Sequence, residues 1–523
     1  MTRGNSCSRL RSVALVGAAV GSLLAGCSGS DGADDASVAS STTVGRAAPA
    51  ADRVLSLKGG DAVATVDPRF QSYNIEMVEV TGGEFWKPYD AGAGKVVRPP
   101  IDLASERLRN LARALGPAYI RVSGTWANST YFDPDGTAGG TPPAGYQGVL
   151  TGDQWKGVGE FADAVDGKVV TSFAANTGSR DQAGVWRDDQ ARALMQFSLD
   201  HQVPLVAAEF YNEPGYNIGV PGGYDAVAFA RDFKIFTTAV DEVMPDLKLL
   251  GPGSGDDVTP IIIEPVIRST DMLDRIDTSK YEIFSYHFYP KVSERCGSQE
   301  GSEVALTDEY LSRVEADKEY YEGLRDTYLP GAPMWITETA QAACGGDRWA
   351  SQYVDVIRYV GTLGRLATGD GDAVFHNTLA SSDYGLIDED GFEPRPDYWA
   401  AVLWHKLMGP EVLAVDPGDA VADLAVYAHC TPEADEPSVT YAVVNSSATE
   451  ERTVAPAAGD ARVYLLGSDA LDSKAISLNG KVLVAAEDGT VPELAGTPAR
   501  GPVTVPPASV AFVVEPTDAA ACA

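Results

Sequence analysis

Eight short apolar, β-branched runs alternate with longer stretches of helical periodicity between about residues 67 and 408, and this alternation constrains the fold more than any other feature. The runs cover residues 72–78, 118–124, 169–175, 204–211, 248–253, 282–289, 333–338 and 372–379. Between them lie amphipathic stretches such as 105–115, 224–243, 310–325 and 349–366. In the first of these Leu108, Leu111, Ala112 and Leu115 recur at the spacing of one helix face. Strands that are each followed by a helix run parallel to their neighbours. Eight such units predict an α/β fold, a (β/α)8 TIM barrel over residues 67–409, in preference to an open doubly wound sheet.

The pattern changes after Gly409. Runs at 424–429, 439–444, 462–466, 475–478 and 510–514 are short and separated by Pro, Gly, Asp and Asn. That is the signature of an all-β sandwich, expected over residues 410–523. The run 54–66, inside a segment 52–66 that precedes the barrel, is expected to add N-terminal strands to the same sandwich. A chain of 523 residues exceeds what one core covers, so two folded units are the natural reading.

Residues 1–27 read as a targeting segment. Arg3, Arg9 and Arg11 precede an apolar run from 13 to 25, which ends in Leu24-Ala25-Gly26-Cys27. The run is too short for a comfortable membrane span. Small residues before a cysteine at this place resemble a bacterial lipobox, with Cys27 as the acylated residue. Residues 28–51 are Ser, Gly, Ala, Asp and Thr with almost no large apolar side chain, so they read as a flexible tether. The expected location is extracytoplasmic, with the membrane touched only through the lipid anchor.

Six cysteines are present; Cys7 leaves with the leader and Cys27 takes the lipid. Cys296, Cys344, Cys430 and Cys522 remain, an even number suited to disulfides in an oxidising compartment. No Cys/His spacing suggests zinc, and the chain has five histidines, so neither a metal nor another cofactor is expected. The net charge of −34, from 74 acidic and 40 basic side chains, argues against nucleic acid as a partner. The same field disfavours a heavily sulfated polyanion as substrate.

In a barrel, chemistry gathers where the strands end at the C-terminal face. The fourth run leads into Asn212-Glu213-Pro214, and the seventh ends in Glu338, 125 residues later. Glutamates at the ends of strands four and seven face each other across the barrel mouth. Two carboxyl groups roughly 5 Å apart are what glycoside hydrolysis with retention needs, one as proton donor and one as nucleophile. An Asn-Glu-Pro tripeptide alone is a weak signal; the pair of strand ends makes it specific. His287 lies two residues before Tyr289, on the same strand face, where a site role and a core role are equally open.

The segment Asp67-Pro68-Arg69-Phe70, followed by Leu108-Arg109-Asn110-Leu111-Ala112-Arg113-Ala114-Leu115-Gly116-Pro117-Ala118-Tyr119-Ile120-Arg121, closely resembles glycoside hydrolase family 79, the heparanase and β-glucuronidase family. So do Tyr384-Gly385-Leu386-Ile387-Asp388-Glu389, Pro396-Asp397-Tyr398-Trp399 and Lys406-Leu407-Met408-Gly409. In the sandwich, Val426-Tyr427-Ala428-His429-Cys430, Ile476-Ser477-Leu478-Asn479-Gly480 and Cys522 resemble it too. The resemblance implies that Glu213 is the acid/base and Glu338 the nucleophile. It implies that Asn212 holds the sugar 2-hydroxyl, that Tyr289 hydrogen-bonds the nucleophile, and that Glu76 and Thr125 bind hydroxyls of the terminal sugar. It assigns a uronate carboxylate to the backbone amides of Gly345 and Gly346 and the hydroxyl of Tyr384. It also implies a Cys430–Cys522 disulfide. Cys296 and Cys344, in the loops after strands six and seven, are candidates for a second bridge.

Two departures from heparanase stand out. The region 134–158 is short and Gly/Pro-rich where heparanase carries an excised segment, so one continuous chain is expected. No run of basic residues lines the cleft. The expectation is therefore a monomeric, metal-free β-glucuronidase acting on a carbohydrate with a β-linked uronic acid. The rivals are another retaining barrel-plus-sandwich glycosidase, such as a xylosidase or arabinofuranosidase, and a surface lipoprotein that binds glycans without cleaving them.

Overall fold

The computed structural model describes residues 51–92, 94–258 and 265–523. The targeting segment 1–27, its Cys27 and tether residues 28–50 lie outside the described residues.

Eight parallel strands close into a barrel in chain order: β1 Gln71–Glu76, β2 Ala118–Ser123, β3 Gly167–Thr171, β4 Leu205–Ala208, β5 Lys248–Ser254, β6 Ile283–Phe288, β7 Met334–Thr339 and β8 Ala373–His376. β8 closes on β1 with Val374 opposite Gln71. The barrel interior is layered. Towards the N-terminal end of the strands Val170, Ala207, Leu250, Trp335 and Phe375 form an apolar plug, with Tyr119 against Trp335 at 4.4 Å. Two residues further along β2 the inward side chain is Arg121, and the layer above the plug is charged. The plug seals the floor, so the chemistry is confined to one end.

The helices start at polar caps. Asp225 accepts from the amide of Ala228 to open Ala226–Val243, and Thr307 accepts from Tyr310 to open Asp308–Tyr328. The helical pattern expected over 349–366 splits into a 3₁₀ turn at Arg348–Ser351 and a helix at Asp355–Leu366. Strand four is shorter than the run 204–211, because after Ala208 the chain turns to present Asn212 and Glu213. The region 134–158 is more ordered than its Gly/Pro content suggests: Gly148–Thr151 pairs in parallel with Thr130–Asp133 and leads into the helix Gly152–Ala164. Between β1 and β2 a hairpin not foreseen from the sequence pairs Gly83–Trp86 with Lys95–Arg98.

After the barrel the chain forms a large antiparallel sheet centred on Leu424–Cys430, Ser438–Asn445, Ser509–Pro516 and Asp460–Gly467. Leu57–Thr65, from before the barrel, joins its edge through Glu411–Val415. A smaller sheet of Arg53–Leu55, Arg452–Pro456 and Val503–Val505 covers one face. Strand Ser438–Asn445 shows how alternation divides the work. Val439, Tyr441 and Val443 pack with Leu55, Val454 and Val505 of the small sheet, while Ala442 and Val444 join the barrel's own core. Cys430 is joined to Cys522, and Cys296 to Cys344.

Candidate active site

Glu338 stands at the C-terminal end of β7, and irregular register against both neighbours turns it into the mouth. β6 and β7 slip between Tyr286 and His287, so that His287 becomes the partner of Glu338. β7 and β8 slip between Ile336 and Thr339. A bulge of this kind re-aims side chains, and here the consecutive residues Thr337 and Glu338 both reach inward groups. Thr337 Oγ1 donates to Glu209 Oε1 at 2.8 Å.

Glu213 lies five residues past the end of β4, in the left-handed region at φ +50°. A non-glycine residue there costs roughly 1–2 kcal/mol and needs its neighbours held. Asn128 does this: its Nδ2 donates to the carbonyl of Asn212 at 2.9 Å, and its Oδ1 accepts from the Asn212 amide at 2.9 Å. The side chain of Glu213 is thereby fixed in the cleft, where carboxylate oxygens of Glu213 and Glu338 and a ring nitrogen of His287 all lie within 4.8 Å of one another.

Arg121 organises the layer beneath. It is 1% exposed and donates to Glu209 Oε2 at 2.8 Å, Asn212 Oδ1 at 2.7 Å and Glu338 Oε2 at 3.2 Å. It also meets His287 Nε2 at 3.3 Å. A guanidinium only donates, so Nε2 accepts and the ring proton sits on Nδ1, directed at Glu213 Oε1 3.0 Å away. Burial holds the imidazole below its ordinary pKa, which agrees with a neutral ring.

The two glutamates have unequal surroundings. Burial, then the charge of Asp256, pushes Glu213 up to about 7. Burial also raises Glu338, but the Arg121 guanidinium and the 2.7 Å bond from the Tyr289 hydroxyl oppose it. Asn377 Nδ2 reaches Glu338 Oε1 at 3.5 Å and Tyr289 Oη at 2.9 Å. One proton shared by this pair is held by Glu213, beside neutral donors, and leaves Glu338 ionised against the guanidinium. Glu213, His287 and Glu338 form the one cluster of metal-ligating types among the described residues. Arg121 and Tyr289 already donate to the lone pairs a cation would use, so the donor set fits proton transfer better than a metal.

The cleft above has a volume of about 450 Å³. Glu76, Thr125, Tyr289, Tyr384, Glu213 and Glu338 all line it. Glu76 Oε2 has no hydrogen-bond partner among the described residues. Burial, then the charges of Glu338 and Glu79, pushes Glu76 well above the usual carboxylate range. Gly124 makes room for it: at φ +85° a Cβ there would lie 1.6 Å from Glu76 Oε2. Asn212 lies below the cleft, with Oδ1 taken by Arg121 and Nδ2 3.3 Å from Glu213 Oε2. Gly345 and Gly346 do not line the cleft; Cys344 does. A Cβ on Gly345 would sit 2.6 Å from Ser382 Oγ and 2.8 Å from Trp86 Cβ. These two glycines are accounted for by packing at φ +82° and +74°.

No family model matches the chain. Over 221 residues it is 34% identical to inactive heparanase-2 of Mus musculus, a match that covers 38% of this chain and 37% of that one. Over those residues the chain spans little more than a third of that relative. Longer matches follow: heparanase of Bos taurus is 25% identical over 87% of this chain and 90% of its own. Baicalin-β-D-glucuronidase of Scutellaria baicalensis is 24% identical over 75% of this chain and 79% of its own. Heparanase and heparanase-like proteins are thus what the chain is similar to over most of its length. A solved 4-O-α-L-rhamnosyl-β-D-glucuronidase of Fusarium oxysporum 12S superposes with a TM-score of 0.63 at 15% identity, covering 88% of this chain and 99% of that one. That likeness establishes the barrel-plus-sheet fold.

Sequence reasoning missed Arg121, Glu209 and Asn377 as site residues, although all three touch the assigned pair or its partners. A signal for the first two was present: an arginine in an apolar strand run needs a buried carboxylate opposite. Asn377 follows β8 and carries no such mark. Trp86, Lys95 and Trp126 line the cleft from an inserted hairpin and the turn after β2, and nothing in the strand pattern points to them.

Proposed function

We propose that the chain is a retaining β-glycoside hydrolase whose preferred substrate is a β-linked glucuronide. The observation that carries the reading is the approach of the Glu213 and Glu338 carboxylates to within 4.8 Å, in unequal electrostatic settings. A spacing of about 5 Å leaves room for direct attack and none for an intervening water. Glu338 attacks the anomeric carbon while protonated Glu213 gives its proton to the leaving oxygen, and a glycosyl-enzyme forms. Glu213, now a base, takes a proton from water, and the resulting hydroxide equivalent releases the sugar with its original configuration. His287 holds Glu213 in place through Nδ1.

The uronic acid preference rests on the homology to a baicalin-β-D-glucuronidase and on Tyr384 in the cleft wall. The leader, Cys27 and the tether support an exported, lipid-anchored enzyme at the outer face of a membrane. Aryl β-glycosides differing only in the sugar, with the first-formed anomer followed by NMR, test the activity and its stereochemistry together. Release of the inverted anomer, or absence of labelling at Glu338 by a mechanism-based fluoroglycoside, would overturn the assignment.

A further inference from the structure

The cleft is acidic for a site proposed to take an anionic sugar. Glu76, Glu84, Glu213 and Glu338 line it, and Lys95 is the one basic side chain among the described lining residues. Arg121 lies below, engaged by Glu209, Asn212 and Glu338. Attraction for a carboxylate in the cleft must therefore come from elsewhere, and the hairpin supplies it.

Trp86 and Lys95 are direct cross-strand partners in that hairpin. Lys95 Nζ stands 4.5 Å from the centre of the Trp86 ring and 5.5 Å from that of Trp126. Trp126 is braced edge-on by buried Phe85 at 4.8 Å. Trp86 is braced by Gly345, where a Cβ would approach its own Cβ to 2.8 Å. An ammonium over two indole faces is held without a carboxylate, and among the described residues Lys95 enters no ion pair. A held, unneutralised cation on the wall of an acidic cleft is arranged to meet an anion brought by a ligand.

We propose that Lys95, clamped between Trp86 and Trp126, is a specificity-determining residue that binds the carboxylate of a uronic acid in this cleft. The inference rests on the glycosidase reading for its substrate but concerns recognition, which can be measured without turnover. The contact acts mainly in the bound ground state, so it lowers KM more than it raises kcat. It also makes the preference for an acidic sugar sensitive to salt, because Lys95 is exposed.

The test compares the full chain with Lys95→Met, which keeps the aliphatic stem against the indoles, and Lys95→Arg, which keeps the charge. Titration calorimetry with glucuronate and with glucose reads binding, and kcat/KM on matched aryl β-glucuronide and β-glucoside reads specificity. Lys95→Met should weaken glucuronate binding and glucuronide kcat/KM by about tenfold, largely through KM, with the glucoside little changed. Lys95→Arg should retain most of the preference. Equal changes on both sugars, or no change on either, would overturn the role of Lys95. If neither aryl glycoside is cleaved while glucuronate binding still depends on Lys95, the glycosidase reading fails and this one stands. Cleavage of the glucoside with no glucuronate binding by the unsubstituted chain does the reverse.

Discussion

The barrel mouth and the sandwich are built from opposite materials. In the sandwich, strand Ser438–Asn445 is buried along its whole length, and its alternate residues feed two apolar cores. In the mouth, Arg121, Glu209, Glu213, Glu338 and His287 are all buried, and what holds them is a hydrogen-bond network. Burying apolar surface stabilises a fold by about 25 cal/mol per Å², whereas burying charges breaks even at best. The difference teaches that stability and chemistry sit in separate parts of this chain. Changes in one should therefore leave the other largely intact.

The sharpest test of that separation is Glu338→Gln. Turnover should fall by roughly 10⁴-fold or more, because the carboxylate that attacks in the proposed mechanism is removed. The melting temperature should hold or rise, since one of several crowded buried charges is removed. Arg121 still has Glu209 as its partner. Residual activity within tenfold of the parent on every aryl glycoside would break the assignment. A large loss of stability would instead mean that the mouth is itself structural.

Glu213→Gln should be nearly as damaging on poor leaving groups, by about 10²–10⁴-fold, and mild on activated aryl glycosides that need little protonation. With Glu213 raised to about 7 chiefly by burial, the acid form persists to near neutral pH. Rates on poor leaving groups should then decline as pH rises through about 7, and Glu213→Gln should lose that limb. The same shift links to stability. Between the ordinary glutamate pKa and about 7 the folded state binds the proton and the unfolded state does not, so the contribution is full at low pH and lost as pH rises. A steeper pH–stability curve in Glu213→Gln than in the parent would contradict the assigned direction.

The sandwich should respond in the other way. Replacing Cys430 and Cys522 by alanine opens a link across 92 residues, worth roughly 4 kcal/mol in the chain-entropy picture. Denaturant midpoints should drop accordingly while kcat/KM stays within twofold. A matching fall in kcat/KM under native conditions would show that the sandwich shapes the mouth.

Legibility followed the same division. The barrel was readable because eight apolar runs alternate with helical stretches, and the approach of Glu213 to Glu338 because both follow strands that end at one face of a barrel. Arg452–Pro456, Thr497–Arg500 and Val503–Val505 were not foreseen, since three to five residues with Pro and Thr give no period to detect. The turn of Glu338 into the mouth depends on register slips in β6–β7 and β7–β8, which no local pattern records. Lys95 and Trp86 were hidden because an inserted hairpin is invisible to a search for barrel strands. Gly345-Gly346, expected to bind a carboxylate, packs against Ser382, Trp86 and Tyr384, a constraint that no local sequence pattern records.

The smallest expected effect falls on Tyr384, where the two kinds of role meet in one residue. Its carbonyl accepts from His376 Nε2 at 2.7 Å, a structural bond, while its hydroxyl lines the cleft near Asn377 Nδ2 at 3.4 Å. Tyr384→Phe keeps the ring and the carbonyl and removes only the hydroxyl. Asn377 retains Tyr289 and Glu338 as partners, so no buried donor is orphaned. A hydrogen bond to a charged carboxylate is worth about 1.5–3 kcal/mol, which predicts a tenfold to hundredfold loss of kcat/KM on a β-glucuronide. The matched β-glucoside, with a neutral hydroxymethyl group at that position, should lose much less. The acidic surface acts equally on parent and variant and cancels in the ratio. Equal losses on both sugars would place Tyr384 with the structural residues of the mouth and leave recognition of the carboxylate to Lys95.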